Sequence, residues 1–340
     1  MRAALMRSPG VLDVTDVKDP SCPTGGALLK VLACAVCGTD VKMLEQGHRD
    51  LRYPRILGHE VTAEILEMDV PSDTLSIGDR VQVWPGEACG NCPQCLSGKD
   101  HLCPSIGIMG FNMEGGMAQM MSVKDVSRLV PIGRTDPVLL TMAEPLACCI
   151  NAQDKLGVGR GDTVLIIGGG PMGCINAQLA RQRGAGTVLV SEKEQERLRA
   201  VPTSLFDEVS SPDPDELRKM VRKATSDKGV DIVIPCTPNV RLDKVLFDLL
   251  APGGKICIFS GPRKDDSPLP VDVREMHYHE QMLVGSYGNS SDHDRRAVQM
   301  LSQGSIDLSW LITGKFSLDD ARDAFGHASA RKGQKAVITI

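Results

Sequence analysis

The chain has 340 residues, enough for about two domains of ordinary size. Hydrophobic residues at 42% and charged residues at 24% suit a globular protein, while aromatics at 3% leave the core to Val, Leu, Ile and Met. A formal charge of −5 provides no basic footprint, so neither nucleic acid nor a membrane surface is an expected partner.

The N-terminus, MRAALMRSPGVLDV, lacks the apolar stretch of a signal peptide, and no run reaches the ~18 apolar residues of a membrane span. A cytoplasmic location is the default expectation. Twelve cysteines in a chain of this length then read as reduced thiols or metal ligands.

From residue 1 to 148, short apolar runs alternate with Gly, Pro and Asp: ALLKVLACAV, VTAEILEM, DRVQVWPG, MAQMMSV. This pattern predicts an antiparallel β domain with irregular loops. From 149 to 286 the character changes. The runs DTVLIIGGG, TVLVSE, GVDIVIPC, GGKICIFSG and QMLVGSYG read as buried strands. Between them PMGCINAQLARQRGA, EKEQERLRAV and VRLDKVLFDLLA read as helices, and the polar stretch 211–228 as a surface helix. Such alternation predicts βαβ units around a parallel sheet. The block from 287 to 340 carries one helix, SDHDRRAVQMLSQG, and a closing strand, KAVITI.

Within the β domain, Cys89, Cys92, Cys95 and Cys103 stand at spacings x2, x2 and x7, inside a lobe at about 86–105. Four soft thiolates with no open position favour a closed, structural zinc, and Pro93 and Gly98 help the loop turn. The spacing is not the ferredoxin run of iron–sulfur clusters. Upstream, Cys37 and the pair His59-Glu60 offer a thiolate, an imidazole and a carboxylate. Alone they do not close a zinc site, but a catalytic zinc leaves a position for substrate.

Gly168, Gly170 and Gly173 form G-x-G-x-x-G between a strand and a helix, with Pro171 and Met172 inside it. The first glycine permits the turn, the second the approach of a pyrophosphate, the third close helix packing. The helix N-terminus then faces the phosphates. Glu192 ends the next strand, where a carboxylate would bind the ribose hydroxyls of NAD. Lys193 and Arg197 leave room for NADP.

In order along the chain, Cys37-Gly38-Thr39-Asp40, Gly58-His59-Glu60, Gly78-Asp79-Arg80-Val81, the four-cysteine lobe, Gly115-Gly116-Met117-Ala118, Glu144-Pro145-Leu146 and the glycine fingerprint resemble the zinc-dependent medium-chain dehydrogenases, the alcohol and polyol dehydrogenase family. The resemblance covers nearly the whole length. It implies an α/β protein: a GroES-like β-rich catalytic domain, closed by the C-terminal segment, plus a Rossmann doubly wound parallel-sheet domain, with the active site in the cleft between them. It implies two zinc ions per chain and NAD, with NADP less favoured. Cys37 and His59 match the family's first two catalytic zinc ligands, and Glu60 a carboxylate that approaches the metal. Glu144 matches the third ligand of the sorbitol and threonine branch, directly or through water; in simple alcohol dehydrogenases a Cys stands near Ala147, and Cys148 and Cys149 compete for that role. Thr39 would bond the substrate hydroxyl and start the proton's path.

One departure concerns Lys42, where members often carry a His; the proton route could pass through the ribose and water or through His48, and Lys42 could be a solvated charge or a cofactor contact. Candidate substrate contacts are His48, Tyr53, Trp84, Ile106, Met113 and Glu114, whereas His277 and His279 read as structural or surface residues. The expected reaction is oxidation of a secondary alcohol in a polyol, sugar or cyclitol. A threonine-type amino alcohol or small secondary alcohol is the alternative, and a catalytically silent NAD- and zinc-binding module the alternative from another class. By analogy with the family, a homodimer or homotetramer is expected, with LVGSYG as the interface strand.

Overall fold

The computed structural model describes residues 1–237, 244–261, 271–331 and 333–340. They fall into two compact units, one of residues 1–147 and 289–340, the other of 148–288.

In the first unit the described residues form a seven-stranded sheet. Its order is Leu129–Pro131, Arg80–Val83, Glu60–Met68, Ala27–Ala35, Lys335–Thr339 and Ile312–Ser317, with Met120–Val123 pairing Ala27–Ala35. Neighbours are antiparallel, as expected, except that Ile312–Ser317 runs parallel to Lys335–Thr339. A second sheet joins Val11–Asp16, Arg2–Ser8 and Arg55–Ile56. Alternating side chains of the long strands, such as Leu29, Val31, Val61, Ala63 and Ile65, are fully buried and build the core with Met6, Leu57 and Met117. Register matters most at one point: Ala35 pairs with Glu60 on one side and with Val337 on the other. Cys37, Glu60 and Lys335 are thereby delivered to the same end of the sheet.

In the second unit six described strands run parallel in the order Glu208–Ser210, Thr187–Ser191, Thr163–Ile167, Val230–Pro235, Leu250–Ile258, Met282–Gly285. This is the doubly wound order 3-2-1-4-5-6. Val164, Leu165, Ile166, Val188, Leu189 and Val190 are fully buried, which is why these strands read as continuous apolar runs rather than alternating ones. The stretch 211–228 contains the expected helix, Pro214–Thr225, capped by the Asp213 carboxylate. Leu217, Met220 and Val221 form its buried stripe.

Two expectations need amendment. EKEQERLRAV forms only a 3₁₀ turn, Gln195–Ala200. Leu198 is its sole half-buried apolar side chain and Pro202 follows, too little packing to hold an α-helix. Of VRLDKVLFDLLA, Lys244–Asp248 is helical, while residues 240–243 lie outside the described residues. Among the described residues no helix is long and apolar enough to cross a membrane.

Candidate active site

Strand Ala27–Ala35 ends two residues before Cys37, which caps helix Gly38–Gln46. The Cys37 Sγ accepts the Thr39 N–H at 3.4 Å, and the Asp40 carboxylate accepts the Cys37 N–H at 3.0 Å. Glu60 opens the neighbouring strand, Glu60–Met68, and His59 immediately precedes it. The donor atoms of Cys37, His59 and Glu60 all lie within 4.8 Å of one another. A thiolate, an imidazole and a carboxylate so gathered make a donor set that suits zinc.

Two further side chains hold this group. Asp40, fully buried, places Oδ1 3.4 Å from His59 Nδ1. Burial pulls the His59 pKa down, but the Asp40 carboxylate and Cys37 outweigh it and hold the imidazole well above its ordinary value. A carboxylate behind a histidine ring fixes which nitrogen is presented to a metal. Lys335, 4% exposed, reaches Glu60 from the closing strand: Nζ donates to Oε1 at 2.5 Å and to the Val36 carbonyl at 3.3 Å. Burial depresses the Lys335 pKa, yet the Glu60 charge raises it above the usual lysine value, and Cys37 adds to the rise.

Glu144 lies in the first turn of helix Ala143–Leu156 and is buried, but it stands outside the 4.8 Å donor group. Its Oε1 accepts the Asn289 Nδ2–H at 3.0 Å, and its charge contributes to the raised pKa of Lys335. Ala147 is fully buried and offers no donor, Cys148 is half-buried, and the Cys149 Sγ points to the Met172 carbonyl at 3.9 Å.

Thr39 is half-buried beside Cys37, whereas Lys42 is exposed. His48 stacks edge-on against Phe111 at 5.4 Å between centroids, and Phe111 lies 5.6 Å from the His59 ring. The other candidate substrate contacts divide. Trp84 is buried with its indole N–H on Asn289, and Glu114 is tied to Arg55 at 2.7 Å and to the Ile56 N–H at 2.8 Å. Met113 packs on the core, Ile106 is half-buried and Tyr53 is exposed. His277 and His279 are both exposed, on or just beyond helix Val273–Tyr278.

The four lobe cysteines likewise bring their sulfurs within 4.8 Å of one another. Cys92 caps the short helix Pro93–Leu96, and Cys103 is buried beneath. The Cys103 Sγ accepts the Cys89 N–H at 3.5 Å, the main reason its pKa falls to about 6. Such a thiol is readily a thiolate, the form that ligates metal.

In the second unit the glycine fingerprint joins strand Thr163–Ile167 to helix Pro171–Gln182, with Gly170 at the N-cap and Pro171 and Met172 in the first turn. A Cβ on Gly173 would lie 1.9 Å from the Gly168 carbonyl oxygen, so no side chain fits there. The Glu192 carboxylate accepts the Gly169 N–H at 2.6 Å and the Glu194 N–H at 2.8 Å. The Arg197 guanidinium lies 3.1–3.3 Å from where a Gly170 Cβ would stand. Carboxylate and guanidinium thus both border the loop.

Sequence reasoning missed Asp40 as a partner of His59, although it stood in the quoted CGTD motif. It also missed Lys335, whose signal was a charge opening the apolar strand KAVITI. Asn289 gave no local signal.

Comparison with known proteins agrees with this architecture. The family model of the alcohol dehydrogenase GroES-like domain matches residues 23–134, and that of zinc-binding dehydrogenases matches 171–303. Sorbitol dehydrogenase of Bacillus subtilis is 27% identical, covering 100% of this chain and 97% of that protein. L-Galactonate-5-dehydrogenase of Escherichia coli is 28% identical over 92% of each. A Sinorhizobium meliloti 1021 protein classed as a zinc-binding dehydrogenase, solved bound to NADP, superposes with a TM-score of 0.91 at 29% identity, covering 100% of this chain and 99% of that one. With its GroES-like and Rossmann parts in family order, the chain belongs to the zinc-dependent medium-chain dehydrogenases, a family of oxidoreductases.

Proposed function

We propose that the chain oxidises a secondary alcohol of a polyol, sugar or cyclitol to the ketone, passing hydride to NAD. The observation that carries this reading is the convergence of Cys37, His59 and Glu60 within 4.8 Å, in a chain that also holds the glycine loop. Cys37 and His59 would ligate a catalytic zinc, with Glu144 as third ligand directly or through water and Glu60 in reserve beside Lys335. The zinc supplies a Lewis acid for the substrate oxygen, and NAD supplies the hydride acceptor. Asp40 orients His59 through Nδ1, leaving Nε2 for the metal. The Thr39 hydroxyl takes up the substrate's hydroxyl proton and hands it on, with His48, one aromatic ring from His59, as the outlet toward solvent.

At the nucleotide loop, Gly168, Gly170, Pro171, Met172 and Gly173 would receive the pyrophosphate. Glu192 favours NAD, while Arg197 and the NADP-bound Sinorhizobium relative favour testing both cofactors. Cys89, Cys92, Cys95 and Cys103 would hold a structural zinc. The exposed edge strand Met282–Gly285 is the proposed pairing edge of a dimer, checked by light scattering.

The reading is tested by a panel of polyols, sugars, cyclitols, threonine and small alcohols, followed at the NADH absorbance with NAD and NADP in parallel and zinc counted per chain. The expected result is turnover of a polyhydroxylated secondary alcohol with NAD and two zinc ions per chain. Preference for threonine or a small alcohol overturns the substrate class alone. No turnover of any alcohol by a two-zinc protein overturns the enzymatic reading in favour of a silent binding module.

A further inference from the structure

We propose that Asn289 is a positioning residue for Glu144, its carboxamide oriented by the Trp84 indole so that one N–H always faces the carboxylate. The inference rests on the reading of Glu144 as a metal-site residue and adds a supporting shell to it.

A carboxamide can present either end, so its direction must be set by its partners. Here the setting partner is unambiguous. The Trp84 indole can only donate, and it stands 3.0 Å from the Asn289 Oδ1 and 3.2 Å from the Asn289 carbonyl. Nδ2 is thereby turned to Glu144 Oε1, at 3.0 Å. Trp84, Asn289 and Glu144 are 4%, 5% and 8% exposed, so reversing the amide would break two shielded hydrogen bonds at once.

Trp84 is itself fixed. Its backbone N–H donates to the Arg128 carbonyl at 2.9 Å, and its own carbonyl accepts the Arg128 Nε–H at 3.1 Å. Its ring lies over Gly86, where a Cβ would come within 2.5 Å of the indole carbons. Asn289 immediately precedes Ser290, the cap of helix Ser291–Ser302, so its backbone is anchored too. The Asn289 N–H given to Glu144 Oε1 holds that carboxylate in one orientation, as supporting contacts do for the side chains of metal sites.

The test is the d–d spectrum and affinity of Co(II) at the Cys37–His59 site, compared among wild type, E144A, N289L and W84F, with kcat and KM measured on the zinc enzymes. N289L is expected to lower Co(II) affinity by about tenfold and shift the bands, as loss of a supporting contact does. It is also expected to reduce kcat while leaving the KM for NAD unchanged. W84F, which removes the orienting N–H alone, is expected to move the same bands in the same direction by less, and W84F/N289L to match N289L. If E144A alters affinity and spectrum but N289L and W84F do not, the positioning role is overturned and the reading of Glu144 stands. If E144A itself changes neither, that reading falls and the positioning role with it. Should N289L fail to fold, W84F decides: unchanged bands overturn the proposal.

Discussion

Lys335 and Glu60 meet as a buried pair at the end of the catalytic sheet, Nζ to Oε1 at 2.5 Å, with 4% and 0% of their surfaces exposed. Removing one partner strands the other as an uncompensated charge, at about 3–5 kcal/mol. Lys335→Met is therefore expected to lower stability on that scale. Glu60→Gln in the same chain should restore most of it. Urea unfolding of the two variants checks this, and equal midpoints for Lys335→Met and wild type would refute the coupling.

Asp294 sets a pH dependence. Burial, then the charge of Glu144, holds its carboxyl well above the usual carboxylate range. The folded chain keeps this proton where the unfolded chain, titrating near pH 4, has released it. Its contribution to stability is thus full at low pH, falls as pH rises from about 4, and levels off above the folded-state pKa. Asp294→Asn carries no such proton. The variant should gain on wild type from about pH 4 upward, then keep a constant lead. A stability difference that stays flat from pH 4 to 8 would count against a protonated Asp294.

The two cysteine clusters should separate by mutation. Cys37→Ser is expected to lose one zinc per chain and all turnover while its melting temperature stays near that of wild type. Cys95→Ser is expected to lose the other zinc and to melt earlier, because a closed site contributes folding energy. Metal analysis and thermal melts decide; a Cys95→Ser protein with two zincs and normal melting would end the structural assignment.

At the nucleotide loop Gly173→Ala tests a close approach. The added Cβ, 1.9 Å from the Gly168 oxygen, forces helix and loop apart. Cofactor affinity should fall by more than about tenfold, since the helix N-terminus is displaced from the phosphates. NADH fluorescence titration measures it, and an unchanged dissociation constant would remove the loop from the binding site.

What the sequence made legible was local. The glycine fingerprint and the four-cysteine lobe each depend on a short piece of backbone, and each folds where its spacing implied. Cys37, His59 and Glu60 were legible as a set only through the resemblance of their motifs to the family, and the structure gathers them where two neighbouring strands end and begin. Lys335 and Asn289 were not, because their roles come from register and from contacts across the chain. Nothing in KAVITI says that Val337 will pair with Ala35 and so carry Lys335 to Glu60. Helix Ala143–Leu156 was also unread: AEPLACC drew attention to Glu144 as a motif residue, and its helical setting passed unnoticed.

The pairing of Glu60 with Lys335 also orders events during synthesis. The two residues are separated by 275 positions. At ~5–20 residues per second, that interval lasts roughly 14 to 55 seconds on the ribosome. The Rossmann unit, residues 148–288, is continuous and lies wholly inside the interval. It can fold as it emerges, whereas the catalytic sheet must wait for strand Lys335–Thr339 to insert beside Ala27–Ala35. A nascent chain halted before residue 335 therefore carries a finished Rossmann sheet and a catalytic sheet that cannot close. Its Glu60 has no Lys335 to pair with until the last strand arrives.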